Sequence, residues 1–156
     1  MNNDNLTTQA DVIAAVKKIG STPEIIVNTD SFYESSSIIG KIYFQIGDFF
    51  FPEEGWDDFA VVILSWWLHA FKNSETVFSM LFMDGPFEVN VVRSEGKTLE
   101  LTFIHKEKKL FIVSCAEEVL KKQLLNAARK ILIKSSQENW TTSAIAGLQK
   151  VILAFE

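Results

Sequence analysis

The sequence predicts an α+β domain: an antiparallel sheet of five to seven strands, with helices packed mainly on one side. Three observations lead to this. Between Thr76 and Ser114 apolar and polar residues alternate with a period of two, interrupted by short turn-forming groups. On both sides of that region apolar residues recur at helical spacing. The chain has 156 residues, 47% hydrophobic and 12% aromatic, with 13 Phe and 4 Trp, which is enough apolar mass for one core. A single domain over residues 1–156 follows, with residues 1–7 expected to be loose.

In chain order, Thr8 caps a predicted helix over about 9–19, with Val12, Ile13, Val16 and Ile19 at helical spacing and Gly20 as its stop. Glu24 to Val27 is a short β-rich run. The polar segment from Asn28 to Ser37, with Phe32 and Tyr33 inside it, reads as an exposed connection. Ile38 to Ile46 is a predicted strand with Ile42, Phe44 and Ile46 on one face and Tyr43 on the other. Gly47-Asp48 is a turn signal, Phe49-Phe50-Phe51 the returning arm of a hairpin, and Pro52 its end.

A helix is predicted from about Trp56 to Lys72. Asp57 and Asp58 then fall in its first turn, where negative charge meets the positive end of the helix dipole. Phe59, Val62, Ile63, Trp66 and Ala70 line one face and Val61, Leu64, Leu68 and Phe71 another. Only Ser65, His69 and Lys72 form a polar stripe. A helix this apolar is buried on more than one side.

The second half reads as a meander of four strands: Val77 to Met83, Phe87 to Arg93, Thr98 to His105 and Leu110 to Ser114. Asp84-Gly85-Pro86, Glu95-Gly96 and Lys106-Glu107-Lys108 supply the turns. Ser114 and Glu117 have capping-box spacing and start a helix to about Lys134. Ser135 to Asn139 is a predicted break. Thr141-Thr142 lead a last helix carrying Ala144, Leu148, Val151, Ile152 and Phe155 at helical spacing.

Charge and composition exclude several function classes. The net charge of −5 argues against nucleic acid as a partner, which selects a basic face. The single cysteine, Cys115, excludes an internal disulfide and a cysteine-rich zinc site. The polar, acidic start Met1 to Asn5 is the opposite of a signal peptide's. The longest apolar run, Phe59 to Leu68, is about half the roughly 20 residues of a membrane span. The expectation is a cytoplasmic chain with no membrane partner and no cofactor.

Catalytic constellations are thin. Cys115 and His105 flank one predicted strand, and at about 3.3 Å per residue its ends lie over ~20 Å apart. His69 and His105 have no partner at metal-ligand spacing on their own elements. The adjacent pairs Glu53/Glu54, Asp57/Asp58 and Glu117/Glu118 do not face one another across a substrate as paired catalytic carboxylates do. The helix dipole accounts for Asp57, Asp58, Glu117 and Glu118 without a function. Glu53 and Glu54 lie before that helix and have no such explanation.

Binding is the better-supported class. Glu53, Glu54, Asp57 and Asp58 surround Trp56, an aromatic anchor within a charged rim. Clustered carboxylates can imitate a phosphate backbone before a cationic nuclease. Two other classes stay open: a small enzyme or ligand-binding domain with a pocket lined by Trp66, Trp67 and Phe residues, and a structural homo-oligomer pairing through a strand edge.

The segment carrying Phe51, Pro52, Trp56, Asp58 and Phe59, followed by an apolar helix with the pair Trp66-Trp67, resembles small bacterial immunity proteins of polymorphic-toxin and contact-dependent growth inhibition systems. The turn Met83-Asp84-Gly85-Pro86-Phe87 fits the same style, and together these span about Phe44 to Val92, a little under a third of the chain. The resemblance implies a non-enzymatic protein that binds one cognate toxin and blocks its active site or a neighbouring surface. The acidity would then complement a basic nuclease.

Overall fold

The structure, a computed structural model, describes residues 16–83 and 85–155. Nine strands and three helices are described: β1 (Lys17–Ile19), β2 (Pro23–Glu34), β3 (Ile38–Ile46), β4 (Phe49–Phe51), β5 (Asp57–Asp58), α1 (Ala60–Asn73), β6 (Val77–Leu81), β7 (Phe87–Ser94), β8 (Thr98–His105), β9 (Lys108–Ala116), α2 (Glu117–Gln137) and α3 (Ser143–Leu153). The fold is α+β, as expected. The meander β6 to β9 forms as read, each strand antiparallel to the next.

The strands divide between two sheets rather than joining in one. The first is mixed, in the order β1-β9-β8-β7-β6, with β1 parallel to β9. The second has the order β2-β3-β4, with β5 also on β3. The two meet through aromatic rings: Phe44 and Phe51 contact Phe103 edge-on at 5.4 and 5.1 Å between centroids. Such tilted contacts are the favoured geometry for ring quadrupoles. The inner row of the large sheet (Met80, Val89, Leu101, Phe103, Val113) is fully buried. Helix α1 lies on this inner side, with Phe71 against Phe78 and Trp67 against Phe82.

Several local expectations change under tertiary pairing. Most of the helix predicted over about 9–19, and the loose residues 1–7, lie outside the described residues. Its last part, Lys17–Ile19, is strand β1, held by β9. Ile19 packs on the core there, and pairing overrides a weak helical spacing.

The expected connection Asn28–Ser37 is mostly strand. β2 runs to Glu34 with a register shift between Asn28 and Tyr33. Hydroxyl chemistry repairs the irregularity: Ser31 Oγ donates to Asn28 O at 2.6 Å and accepts from Lys41 N at 2.9 Å. Phe32 is buried over Gly40, and a Cβ at Gly40 would overlap its ring.

Helix α1 begins at Ala60, not Trp56, because the chain before it pairs with β3. Ile42 N donates to Trp56 O at 2.9 Å, and Asp57 and Asp58 sit opposite Lys41 and Gly40. The two neighbouring tryptophans face opposite ways. Trp67 is fully buried and its Nε1 donates to Leu81 O at 2.8 Å, whereas Trp66 is 43% exposed.

The capping box at Ser114 does not form. Strand β9 continues to Ala116, and Ser114 pairs with Glu100. Glu117 instead donates its N–H to Lys97 O at 2.8 Å and uses its carboxylate elsewhere. The predicted break at Ser135 is helix to Gln137, since Ser135 Oγ is buried and donates back to Ile131 O at 2.8 Å. The last helix forms after Thr141-Thr142 as expected, and Thr142 caps it through its side chain.

Candidate functional site

The candidate site is the loop from β4 into α1. Phe51 anchors it in the core against Phe82, Phe87 and Phe103. The chain then turns over Glu53-Glu54-Gly55, closed by Trp56 N donating to Glu53 O at 3.2 Å. Gly55 has φ +76°, a left-handed backbone that disfavours side chains. Lys41 reaches up from β3, its Nζ donating to Gly55 O at 3.0 Å and pairing with Asp57 at 3.4 Å. The turn is thus tied to the sheet beneath it.

The five predicted site residues separate by role. Glu53 and Glu54 are exposed, and neither forms an ion pair among the described residues. Asp57 is exposed but shares its charge with Lys41. Asp58 is only 4% exposed: Trp56 Nε1 donates to its Oδ2 at 3.0 Å and Phe59 N to its Oδ1 at 2.7 Å. It is therefore a structural carboxylate and is withdrawn from a contact surface. Trp56 lies half-buried with its ring 5.1 Å from that of Phe87, so most of its anchoring is internal. Neither aspartate sits in a helical first turn, so the dipole explanation does not apply to them.

Beside the turn lies an apolar hollow of about 460 Å³ lined by Ile39, Asp57, Asp58, Phe59 and Met83. Ile39 and Lys41 were not singled out from sequence, and Met83 entered only as part of a turn, not as a site residue. The signal for Lys41 was present, the one charged residue in a mostly apolar strand. The signal for Met83 was not, because it meets Ile39 and Phe59 only through tertiary folding.

The other sequence candidates do not converge. His105 stacks on Phe87 at 4.3 Å and Cys115 sits near the far end of β9, opposite Leu99, so no Cys–His pair forms. Burial pushes the Cys115 thiol up from 9.0 to about 11, despite a backbone hydrogen bond from Leu120 that lowers it. That is the reverse of an activated thiolate. His69 is exposed on α1, above a shallow hollow shared with Lys72 and α3. Among the described residues no group of three His, Cys, Asp or Glu is placed to hold a metal. Trp66 is 43% exposed and Trp67 fully buried, so the two neighbours face different surroundings. No described helix is long and apolar enough to cross a membrane.

One structural hub escaped sequence reading altogether. Arg93 on β7 pairs with Glu117 Oε1 at 2.7 Å, donates to the Phe71 and Ser74 carbonyls at the end of α1, and lies over the Phe71 and Phe78 rings. It joins the C-terminus of α1, the sheet and the start of α2.

No family model matches the chain, and no curated protein or solved structure matches it either. The molecular class is that of an α+β domain presenting an acidic turn, tied to the sheet through Lys41, beside an apolar hollow.

Proposed function

We propose that the protein acts by binding rather than catalysis, as a cytoplasmic immunity protein that neutralises a cognate bacterial toxin. The toxin domain would be basic and nuclease-like, with its active site or a neighbouring surface covered. One observation carries the reading: Glu53 and Glu54 are exposed, with no ion-pair partner among the described residues, on a turn tied down by Lys41 and next to the hollow of Ile39, Phe59 and Met83. A lysine or arginine of the toxin fits both halves, its charge on the carboxylates and its methylenes in the hollow. The net charge of −5 steers such a partner in.

Co-expression with the C-terminal domain encoded by whichever neighbouring reading frame proves toxic when expressed alone tests this. Restored growth and a copurifying complex are expected. A toxic domain that is neither bound nor neutralised ends the reading. Within a complex, Glu53→Lys with Glu54→Lys should slow association by about 10-fold or more at low salt. An unchanged rate would move the interface off this turn.

A further inference from the structure

The edges of the two sheets are not alike. On the large sheet, β1 is three residues long and carries Lys17 and Lys18, a short, charged edge of the kind that resists pairing. On the small sheet, β2 meets α2 near its start, where Gln123 Oε1 accepts from Ile25 N at 3.0 Å, and its later part is broken by the register shift between Asn28 and Tyr33 and carries the exposed Asp30 and Glu34. Strands β4 and β5 are three and two residues long. The remaining edge is β6, Val77–Leu81, and no described strand pairs with its outer side.

The direction of its free groups follows from its bonds to β7. Phe82 N donates to Phe87 O at 3.3 Å and Arg93 N to Thr76 O at 2.7 Å. In an antiparallel ladder these bonds fall on alternate residues. Thr76, Phe78, Met80 and Phe82 therefore face β7. Val77, Ser79 and Leu81 turn their N–H and C=O groups outward. Leu81 O accepts from Trp67 Nε1 and keeps one lone pair. The side chains of Val77 and Leu81 are 54% and 46% exposed.

We infer that this edge pairs antiparallel with the same edge of a second copy, about a two-fold axis at Ser79. Ser79 then lies opposite Ser79 of the partner subunit, and Val77 opposite Leu81 of the partner subunit. Every outward-turned group meets another, because residues paired in this register are all odd-numbered. The exposed Val77 and Leu81 become cross-strand neighbours on the same face, which reduces the apolar surface each shows to water.

Charge selects the occupant. From Thr76 to Met83 the chain carries no charged residue, although the protein as a whole is at −5. Two copies of this strand meet without like-charge repulsion, whereas a basic or acidic partner strand finds no counter-charge. A contact of one short strand falls below the roughly 800 Å² per partner of a standard interface, so the dimer is weak and concentration-dependent. This inference is independent of the acidic turn and of the proposed function.

Sedimentation equilibrium of the full chain, from micromolar to millimolar, tests it. A monomer–dimer equilibrium is expected. Ser79→Pro deletes an N–H that the monomer leaves free and places a ring at the axis. With one hydrogen bond lost on each side, it should weaken dimerisation by roughly tenfold or more. Val77→Lys, at an exposed position, should act in the same direction. It decides the matter alone if Ser79→Pro does not fold. A wild-type chain that stays monomeric to millimolar concentration overturns the inference. So does a dimer whose constant is unmoved in the folded variants.

Discussion

The indole of Trp56 donates to the carboxylate of Asp58 at 3.0 Å, and the same carboxylate accepts Phe59 N at 2.7 Å. Two residues that read as part of one contact patch are bonded to each other instead. The pair closes the turn onto the start of α1, a helix whose N-cap residue, Phe59, has no capping side chain. Asp58 thus stands in for a cap from just outside the helix.

Removing that carboxylate strands a half-buried indole N–H and a backbone N–H. Hydrogen bonds to charged groups are each worth about 1.5–3 kcal/mol. Asp58→Ala is therefore expected to lower the unfolding free energy by about 2–4 kcal/mol in urea titrations. Glu53→Gln, at an exposed site, should change it by less than about 0.5 kcal/mol. Equal stabilities for the two variants would deny Asp58 its structural role.

The tryptophan pair offers a sharper contrast. Trp67 is completely buried and hydrogen-bonded, so Trp67→Ala should cost about 3–5 kcal/mol. Trp66, 43% exposed on the outer face of α1, should tolerate alanine at a cost of about 1 kcal/mol or less. Thermal melts of both variants distinguish this arrangement from one in which both tryptophans are buried.

Arg93 should behave as a tertiary staple. Its side chain is half-buried among Glu117, two carbonyls and two rings, so Arg93→Ala loses packing as well as charge. A loss of about 3–5 kcal/mol is expected, as for breaking one side of a largely desolvated pair. Glu117→Gln measured alone and with Arg93→Ala should give a coupling energy of about 1 kcal/mol or more. Strict additivity would show that the pair contributes nothing jointly.

Cys115 predicts a pH dependence. Its folded pKa is raised from 9.0 to about 11, so the folded state holds the thiol proton more tightly than the unfolded chain does. The resulting stability is fully present below pH 9 and is lost as pH rises towards 11. Iodoacetamide should label the native thiol slowly at pH 8, with a midpoint near 11 that falls to about 9 in denaturant. A native midpoint at or below the denatured one would contradict the burial argument.

Local patterns were enough for the α+β class, the meander and the last helix after Thr141-Thr142. Alternation, turn residues and capping chemistry act over a few residues, and those are what a sequence displays directly. The acidic turn at Glu53-Glu54 was legible for the same reason. The split into two sheets was not. Nor were the conversion of Lys17–Ile19 and Asn28–Glu34 to strand, the inward turn of Asp58, or the opposite facing of Trp66 and Trp67. Each depends on which distant strand or ring supplies the missing hydrogen bond or the buried surface. β9 provides this for β1, β3 for Asp57–Asp58, and Leu81 for Trp67. Sequence alone determined which segments wanted burial and where the chain had to turn. Long-range pairing decided which side each residue showed, because a strand, a carboxylate or an indole is satisfied only by a partner that folding brings to it.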